Sequence, residues 1–356
     1  MMTMLSLQLR LLVVAQLLLN NVQACPLLCS CNGGKVDCGE TVLTKADLKK
    51  IGQTISKNTK ELIFRYYKED IMVLKSFPIL TKLTSFSIKS SSLTEIPDGL
   101  SSKMPLLRSF ISRRNKIRII RKDQFLGLNS LAKVTIKHGL KVIEGGAFSR
   151  LPNLTRIEVS NNNLTVLTSR SFSNLKNLKF LYLRHNHIAK IQDSAFFNLK
   201  KLIVLNLFKN KIKHLSTKAF NGLPSLSRLK LTHNPLVCDC KFYTMLQGLK
   251  NAKRDIKLNG TCYLPTPLIT VPIWKFTIAN KSQCTICDLT SPCLNNAQCV
   301  SRNSTHFYCN CTKEYFGEKC QTKIGTMQSN GKSKFIIPLV GSFLALLWQV
   351  TFVYFK

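Results

Sequence analysis

Four basic residues recur at a constant step: Arg65, Lys89, Arg113 and Lys137 lie 24 residues apart. A fixed step of this length sets like side chains beside one another on stacked copies of one unit. Ammonium and guanidinium groups in such a row have one evident chemistry, the binding of anions. Catalytic arrangements are missing from the sequence: it has no nucleophile elbow, phosphate loop or zinc-binding His-Glu-x-x-His. Its six histidines are scattered, and its 14 cysteines fall into three compact groups suited to bridges. The chain reads as a binder and not an enzyme, with no cofactor and no metal site.

The elements that must position this row are written in the apolar pattern. Leu178-x-x-Leu181-x-Leu183-x-x-Asn186-x-Ile188, followed by Ile191, Phe196 and Leu199, returns as Leu202, Leu205, Leu207, Asn210, Ile212, Leu215, Phe220 and Leu223. Other copies begin at Thr59, Leu83, Leu107, Leu131 and Leu154, with a truncated eighth at Leu226. The copy at Leu131 is one residue short and has Gly139 near the Asn position. The pattern is identified as a member of the leucine-rich repeat family. That resemblance implies an α/β solenoid with a curved, parallel sheet on its concave side. A unit cannot bury its apolar side alone, so the copies must stack. Asn115, Asn162, Asn186, Asn210 and Asn234 recur at the turn leaving each strand, where an amide can both donate and accept. Tyr67 and Ser91 replace it in the first two units, which are therefore expected to be less regular. Phe77, Phe125, Phe148, Phe172, Phe196 and Phe220 form a second column, expected to pack along the convex side.

Strand alternation turns the third, fifth, seventh and eighth positions of each unit toward solvent. Arg65, Lys89, Arg113, Arg114, Lys133, Lys137, Arg156, Arg184, Lys209, Arg228 and Lys230 occupy such positions, against only Glu61 and Glu158. The whole chain holds 52 Lys+Arg to 17 Asp+Glu, a net charge of +35, so this face is more basic than its background. Four seventh-position cations on adjacent strands oppose folding unless an anion neutralises them. Phe180, Tyr182 and Phe208 on the same face offer an apolar anchor beside the strip. Two local clusters, Arg113–Lys122 and Lys209–Lys218, strengthen the field. His138, His185 and His233 also project there and would add charge below about pH 6.5; their units are too far apart to share a metal ion.

The compartment follows from the chain's two ends. Residues 1–24 read as a secretory signal cut before Cys25. Asn153, Asn163, Asn259, Asn280, Asn303 and Asn310 are candidate glycosylation sites. Residues 335–355 are apolar enough for a transmembrane helix, yet Lys332 and Lys334 lie on the outer side and only Lys356 on the inner. Ser329-Asn330-Gly331 offers a run of small residues for GPI attachment at Ser329. Both anchors stay open.

Before the first repeat comes Cys25-x3-Cys29-x-Cys31-x6-Cys38; after the last come Cys238-Asp239-Cys240, Cys262 and Cys284. Spacing leaves three pairings open within each group of four. The groups resemble the caps of extracellular leucine-rich repeat proteins. That resemblance implies Cys25–Cys31, Cys29–Cys38, Cys238–Cys262 and Cys240–Cys284. Cys287, Cys293, Cys299, Cys309, Cys311 and Cys320, with Tyr315 and Gly317, resemble an EGF-like module. This implies Cys287–Cys299, Cys293–Cys309 and Cys311–Cys320. The module lacks an acidic cluster for calcium and has Gln298 where a fucosylated module carries Ser or Thr.

The expected order is signal (1–24), cap (25–58), repeats (59–237), cap (238–284), EGF-like module (287–320), stalk (321–334) and anchor (335–355). As a whole it resembles the Slit and vasorin class. The expected function is cell-surface recognition or adhesion, with the concave face binding an acidic protein or a sulfated glycosaminoglycan. A secreted matrix component and an innate immune receptor for microbial polyanions are the other readings. Nucleic acid suits the charge but not the compartment.

Overall fold

The computed structural model describes residues 25–220, 222–251, 256–263, 270–273, 293–302 and 306–323. The expected signal, Asn280, Cys284, Cys287, Asn303, Ser329 and the apolar tail lie outside the described residues. The chain divides into two units, Met1–Thr290 and Ser291–Lys356.

One sheet runs through the first unit. Its strands, in spatial order, are β1 (Cys29–Asn32), β2 (Lys35–Cys38), β3 (Glu61–Arg65), β4 (Ser85–Lys89), β5 (Ser109–Arg113), β7 (Lys133–Lys137), β9 (Arg156–Glu158), β11 (Phe180–Tyr182), β13 (Val204–Asn206), β14 (Arg228–Lys230) and β16 (Lys257–Asn259). Only β1 and β2 pair antiparallel, and every later pairing is parallel. The register sets Arg65 opposite Lys89, Lys89 opposite Arg113, and Arg113 opposite Lys137. Behind the sheet, β6 (Ile119–Ile120) pairs with β8 (Val142–Ile143), and β10 (Val166–Leu167) with β12 (Lys190–Ile191).

The apolar positions behave as the repeat requires. Leu181, Leu183, Leu205 and Leu207 are buried completely, as are their counterparts in neighbouring units. Burial of each such side chain stabilises by about 1.5–3 kcal/mol, and only the adjacent copy supplies the partner surface. The phenylalanine column is continuous from Phe125 through Phe148, Phe172 and Phe196 to Phe220, with ring centroids 5.7–6.2 Å apart. Unit 2 has Ser101 at this position, and the aromatic path detours through Phe64, Phe86 and Phe110 to reach Phe77.

The asparagines close the turns. Asn210 Nδ2 donates to the carbonyls of Leu183 and Leu207, and its Oδ1 accepts from the Ile188 N–H. Asn162, Asn186 and Asn234 repeat this bridge between neighbouring units. The first units differ from the expectation. Strands β3, β4, β5 and β7 have five residues where β9, β11, β13 and β14 have three, so the sheet's strands are longest in the first four units, three of which lack the asparagine. Ser91 Oγ takes the Tyr67 N–H in place of an amide, and Tyr67 fills the core with its hydroxyl on the Ile71 carbonyl. Burial pushes the Tyr67 phenol up to about 12, helped by Glu69 and Asp70. Gly139, at the missing Asn, has φ +115°, and a Cβ there would meet the Asn115 carbonyl oxygen at 2.9 Å.

Each unit leaves its strand through one left-handed residue. Tyr66, Ser90, Arg114, His138, Asn161, His185, Lys209 and His233, all eighth positions, have φ between 50° and 71°. This turn presents the eighth side chain beside the seventh, and from Tyr66, Ser90, Arg114, Asn161, His185 and Lys209 the N–H goes to the seventh-position carbonyl of the next unit, whereas that of His138 goes to the Asn161 carbonyl.

Helix α1 (Lys45–Thr54) begins with a capping box in which Thr44 and Asp47 exchange hydrogen bonds. Its Leu48 and Ile51 are buried, and Gly52 allows close approach to Phe77. Short helices α2 (Leu100–Lys103) and α3 (Thr217–Phe220) lie in the returns. After β15 (Leu236–Val237), α4 (Cys240–Asn251) leads to β17 (Thr261–Tyr263) and β18 (Thr270–Pro272). Cys25–Cys31, Cys29–Cys38 and Cys238–Cys262 are bonded as the resemblance implies. Cys240 is also disulfide-bonded.

In the second unit β19 (Gln298–Ser301) pairs antiparallel with β20 (Phe307–Asn310), and β21 (Tyr315–Phe316) with β22 (Thr322–Lys323). Cys293–Cys309 and Cys311–Cys320 bridge them, and Cys299 is bonded as well. Cys320 is the one buried residue among those described in this unit, so its bridges stand where a core would.

Candidate functional site

The register that stacks the leucines also aligns the cations. Arg65, Lys89, Arg113 and Lys137, with Arg114, line one cleft of about 440 Å³, together with Tyr66, Ser90, His138 and Asn161. The strands that carry Arg65, Lys89, Arg113 and Lys137 are neighbours, with backbones about 4.8 Å apart.

The two ends of the row are already neutralised from within. Arg65 donates to Asp37 through Nε at 2.9 Å and Nη2 at 2.8 Å, a two-point pair that holds the Asp37 carboxyl below its usual range. At the other end Lys137 Nζ lies 2.7 Å from Glu158, with Arg156 at 3.5 Å and Arg184 at 3.9 Å from the same carboxylate. Burial alone would raise the Glu158 pKa; the hydrogen bond and charge of Lys137, then Arg156, outweigh it and lower the value. The expectation of a four-membered uncompensated ladder is therefore corrected to two members. Among the described residues, no carboxylate is paired with Lys89 or Arg113. Lys89 shows the strain: burial, then Arg65, push its pKa down, and Asp37 only partly opposes them.

Beyond Glu158 the face changes character. The Arg156 guanidinium lies over the Tyr182 ring at 4.4 Å, a cation–π contact. Phe180 stands opposite Arg156 in the register, and Lys133 opposite it on the other side. Phe208 is flanked by His185 and His233, with ring centroids 5.3 Å and 4.9 Å away. Burial, Lys209 and Arg184 lower the His185 pKa, so it charges only below the ordinary histidine range. Lys209 is exposed beside this cluster. No group of three His, Cys, Asp or Glu suited to a metal occurs among the described residues.

The expected residues thus form two groups and not one strip: the cleft, and the Arg156–Tyr182–Arg184 and Phe208 surfaces. The basic run Arg113–Lys122 is split, since Arg113 and Arg114 line the cleft while Arg118 and Lys122 flank β6. Asp37 escaped the sequence reading because it belongs to the cap and not to any repeat; the β2–β3 register sets it level with Ile63. Ser87 and Thr135 were missed as well. Both occupy fifth positions, both are buried, and their hydroxyls have no hydrogen-bond partner.

Comparison with known proteins accounts for the scaffold. The model of the leucine rich repeat family matches residues 137–188 and 181–236. The fold is the leucine-rich repeat solenoid. Podocan-like protein 1 of Mus musculus is 32% identical over 93 residues, which is 25% of this chain and 16% of that protein. The chain thus spans about a sixth of the length of this curated relative. Among solved structures, a TLR13–ssRNA13 complex aligns with TM-score 0.45 and 23% identity over 55% of this chain and 31% of that one. The Drosophila Toll–Spatzle complex gives 0.45 and 17% over 61% and 32%, and an internalin of Listeria monocytogenes 0.43 and 19% over 64% and 66%. The disulfides suit an extracellular protein. No helix among the described residues is long and apolar enough to cross a membrane.

Proposed function

We propose that this leucine-rich repeat protein is an extracellular recognition module whose sheet face binds an acidic macromolecule through the cleft at Lys89 and Arg113. The observation that supports this most is the pair of adjacent cations left without a carboxylate in a cleft lined by three more. A face that already pairs its outer cations has room for an external anion at its centre. The open sheet suits recognition of a large partner, and charge of this density speeds encounter with an acidic one. The described Asn153, Asn163, Asn259 and Asn310 are exposed, as glycan carriers must be. In this reading the second unit is an EGF-like spacer within a Slit/vasorin-like order, and the tail from Ser329 onward anchors the chain.

Immobilised heparin tests the function. The full chain is expected to be retained and to elute sharply with salt. Replacing Lys89 and Arg113 by Ser should move elution to lower salt; an unmoved peak sinks the proposal. Release from intact cells by a phosphatidylinositol-specific phospholipase tests the lipid anchor, and retention after treatment rejects it.

A further inference from the structure

We infer that a groove on the N-terminal cap, between α1 and segment 73–76 of the first repeat, docks an acidic amphipathic helix of another protein. The groove is separate from the sheet face and does not depend on anion binding there.

Its walls are fixed by the core beneath them. Leu48 and Ile51 of α1 are buried, and Gly52 brings the helix so close to Phe77 that a Cβ would meet the ring at 2.8 Å. On the other wall Leu74 is buried, its carbonyl accepts the Phe77 N–H, and Val73 is bridged to Asp98 of the next unit. Between the walls lies a cavity of about 720 Å³. Ala46, Leu48 and Val73 give it an apolar lining, extended by the carbon stems of the lysines around it. Val73 is 48% exposed, a branched apolar side chain left facing water. Lys45 and Lys49 stand one helical turn apart on one wall, and Lys75 stands on the other. Among the described residues, none of the three is in an ion pair and no acidic residue lines the cavity.

An apolar lining beneath three unpaired ammonium groups is complementary to an apolar ridge flanked by carboxylates. Two copies of this chain, each with a net charge of +35, repel one another, so the occupant is a different molecule. A fatty acid brings a single carboxylate, too few for cations on two walls. An extended segment docks by adding a strand to a free edge, and α1 offers none. A helix satisfies its own backbone and binds through side chains alone. Lys45 to Gln53 spans about 12 Å of α1, and over that length the cavity takes one ridge of side chains while the partner's full width, about 10–12 Å, rests above it. Carboxylates four residues apart on such a helix recur every 6 Å or so, the same rise that separates Lys45 from Lys49.

The test follows anisotropy as the full chain is titrated, at fixed salt, into three labelled peptides: a helix with a leucine ridge flanked by glutamates, a scrambled peptide of the same composition, and the ridge peptide with glutamine for glutamate. The first should bind at least about tenfold more tightly than either other. Ala46→Glu puts a carboxylate into the groove in the first turn of α1, where the helix dipole favours it, so folding is kept. It should weaken the ridge peptide about tenfold or more, as should Lys45→Ser/Lys49→Ser/Lys75→Ser. Lys89→Ser/Arg113→Ser on the sheet face should change it less than about twofold. Equal binding of the scrambled peptide reduces the effect to bare charge and overturns the groove; equal binding of the glutamine peptide overturns the acidic partner. Unchanged affinity in Ala46→Glu, or no binding of the ridge peptide, overturns the inference outright. So do two other occupants: sodium oleate, if it binds in place of the peptide and is lost in Ala46→Glu, and a dimer of the chain that Ala46→Glu dissolves.

Discussion

Between Arg65 and Lys137 the sheet consists of five-residue strands carrying a row of cations; between Arg156 and Lys230 it consists of three-residue strands carrying rings and one acidic residue, Glu158, among basic ones. The interior reverses the contrast. Units 5 to 8 hold every turn with a buried asparagine that bonds its neighbours, while units 1, 2 and 4 have Tyr67, Ser91 and Gly139 there. The half with the more complete interior network holds Arg156 and Arg184 on Glu158 and leaves Lys209, Arg228 and Lys230 exposed. The half with the poorer network crowds Lys89 and Arg113 into one cleft without a carboxylate and carries the orphaned hydroxyls of Ser87 and Thr135. Glu158 lies at the border, holding Lys137 from one half and Arg184 from the other. The asparagine bridges are thus most complete in one part of the repeat array, and the cations are most crowded in the other.

The strongest challenge to this division is Glu158→Gln. It leaves three cations without their buried counter-charge, and a loss of about 3 kcal/mol is expected in urea denaturation. Heparin should hold the variant more tightly, because Lys137 joins the free pair. Unchanged stability would mean that the border is not set by this carboxylate.

Next in size is a matched pair of interior changes. Asn210→Ala strips the Leu183 and Leu207 carbonyls and the Ile188 N–H of their partner, and should cost about 2–3 kcal/mol. Ser91→Ala removes a single bond to the Tyr67 N–H and should cost about 1 kcal/mol. Equal losses would erase the interior contrast.

Acid titration sharpens the picture at the two ends of the row. Asp37 and Glu158 both have folded pKa values below their ordinary 3.8 and 4.5. The unfolded chain takes up their protons first as pH falls, so their stabilisation is complete above those ordinary values and is lost below them. Melting temperature should therefore fall more steeply below pH 4.5 in the parent than in Asp37→Asn/Glu158→Gln.

The smallest effect has the opposite sign. Lys89→Ser removes a like charge from between Arg65 and Arg113 and should stabilise by about 0.5 kcal/mol. In the parent, the depressed Lys89 pKa means that the folded chain sheds this proton first, so stability should rise toward pH 10.5. A destabilised Lys89→Ser variant would show that the row is not under electrostatic stress.

Much of this was legible in the residues themselves. The constant step gave the sheet, its register and the outward row, because period and side-chain direction are set by the same coil. The cap pairings came from resemblance, and the described bridges follow them. What the pattern hid was neutralisation. Asp37 is remote from the repeat and meets Arg65 only through the pairing of β2 with β3. Glu158 was visible as one acidic residue among many basic ones, with Arg156 beside it on the same strand, but Lys137 and Arg184 come from the neighbouring units and only folding brings them to it. Ser87 and Thr135 looked like ordinary small fifth-position residues; their lack of partners is a property of packing, not of type.

The left-handed residue that ends each strand reaches beyond any one ligand. Its backbone disfavours branched side chains strongly, yet Tyr66, Ser90, Arg114, Asn161 and His185 all occupy it. A rim filtered by shape and indifferent to polarity can exchange acid for base or ring for amide, one copy at a time, while the coil beneath stays as it is. Diversification of what such a protein recognises would then begin along this rim, ahead of the strands.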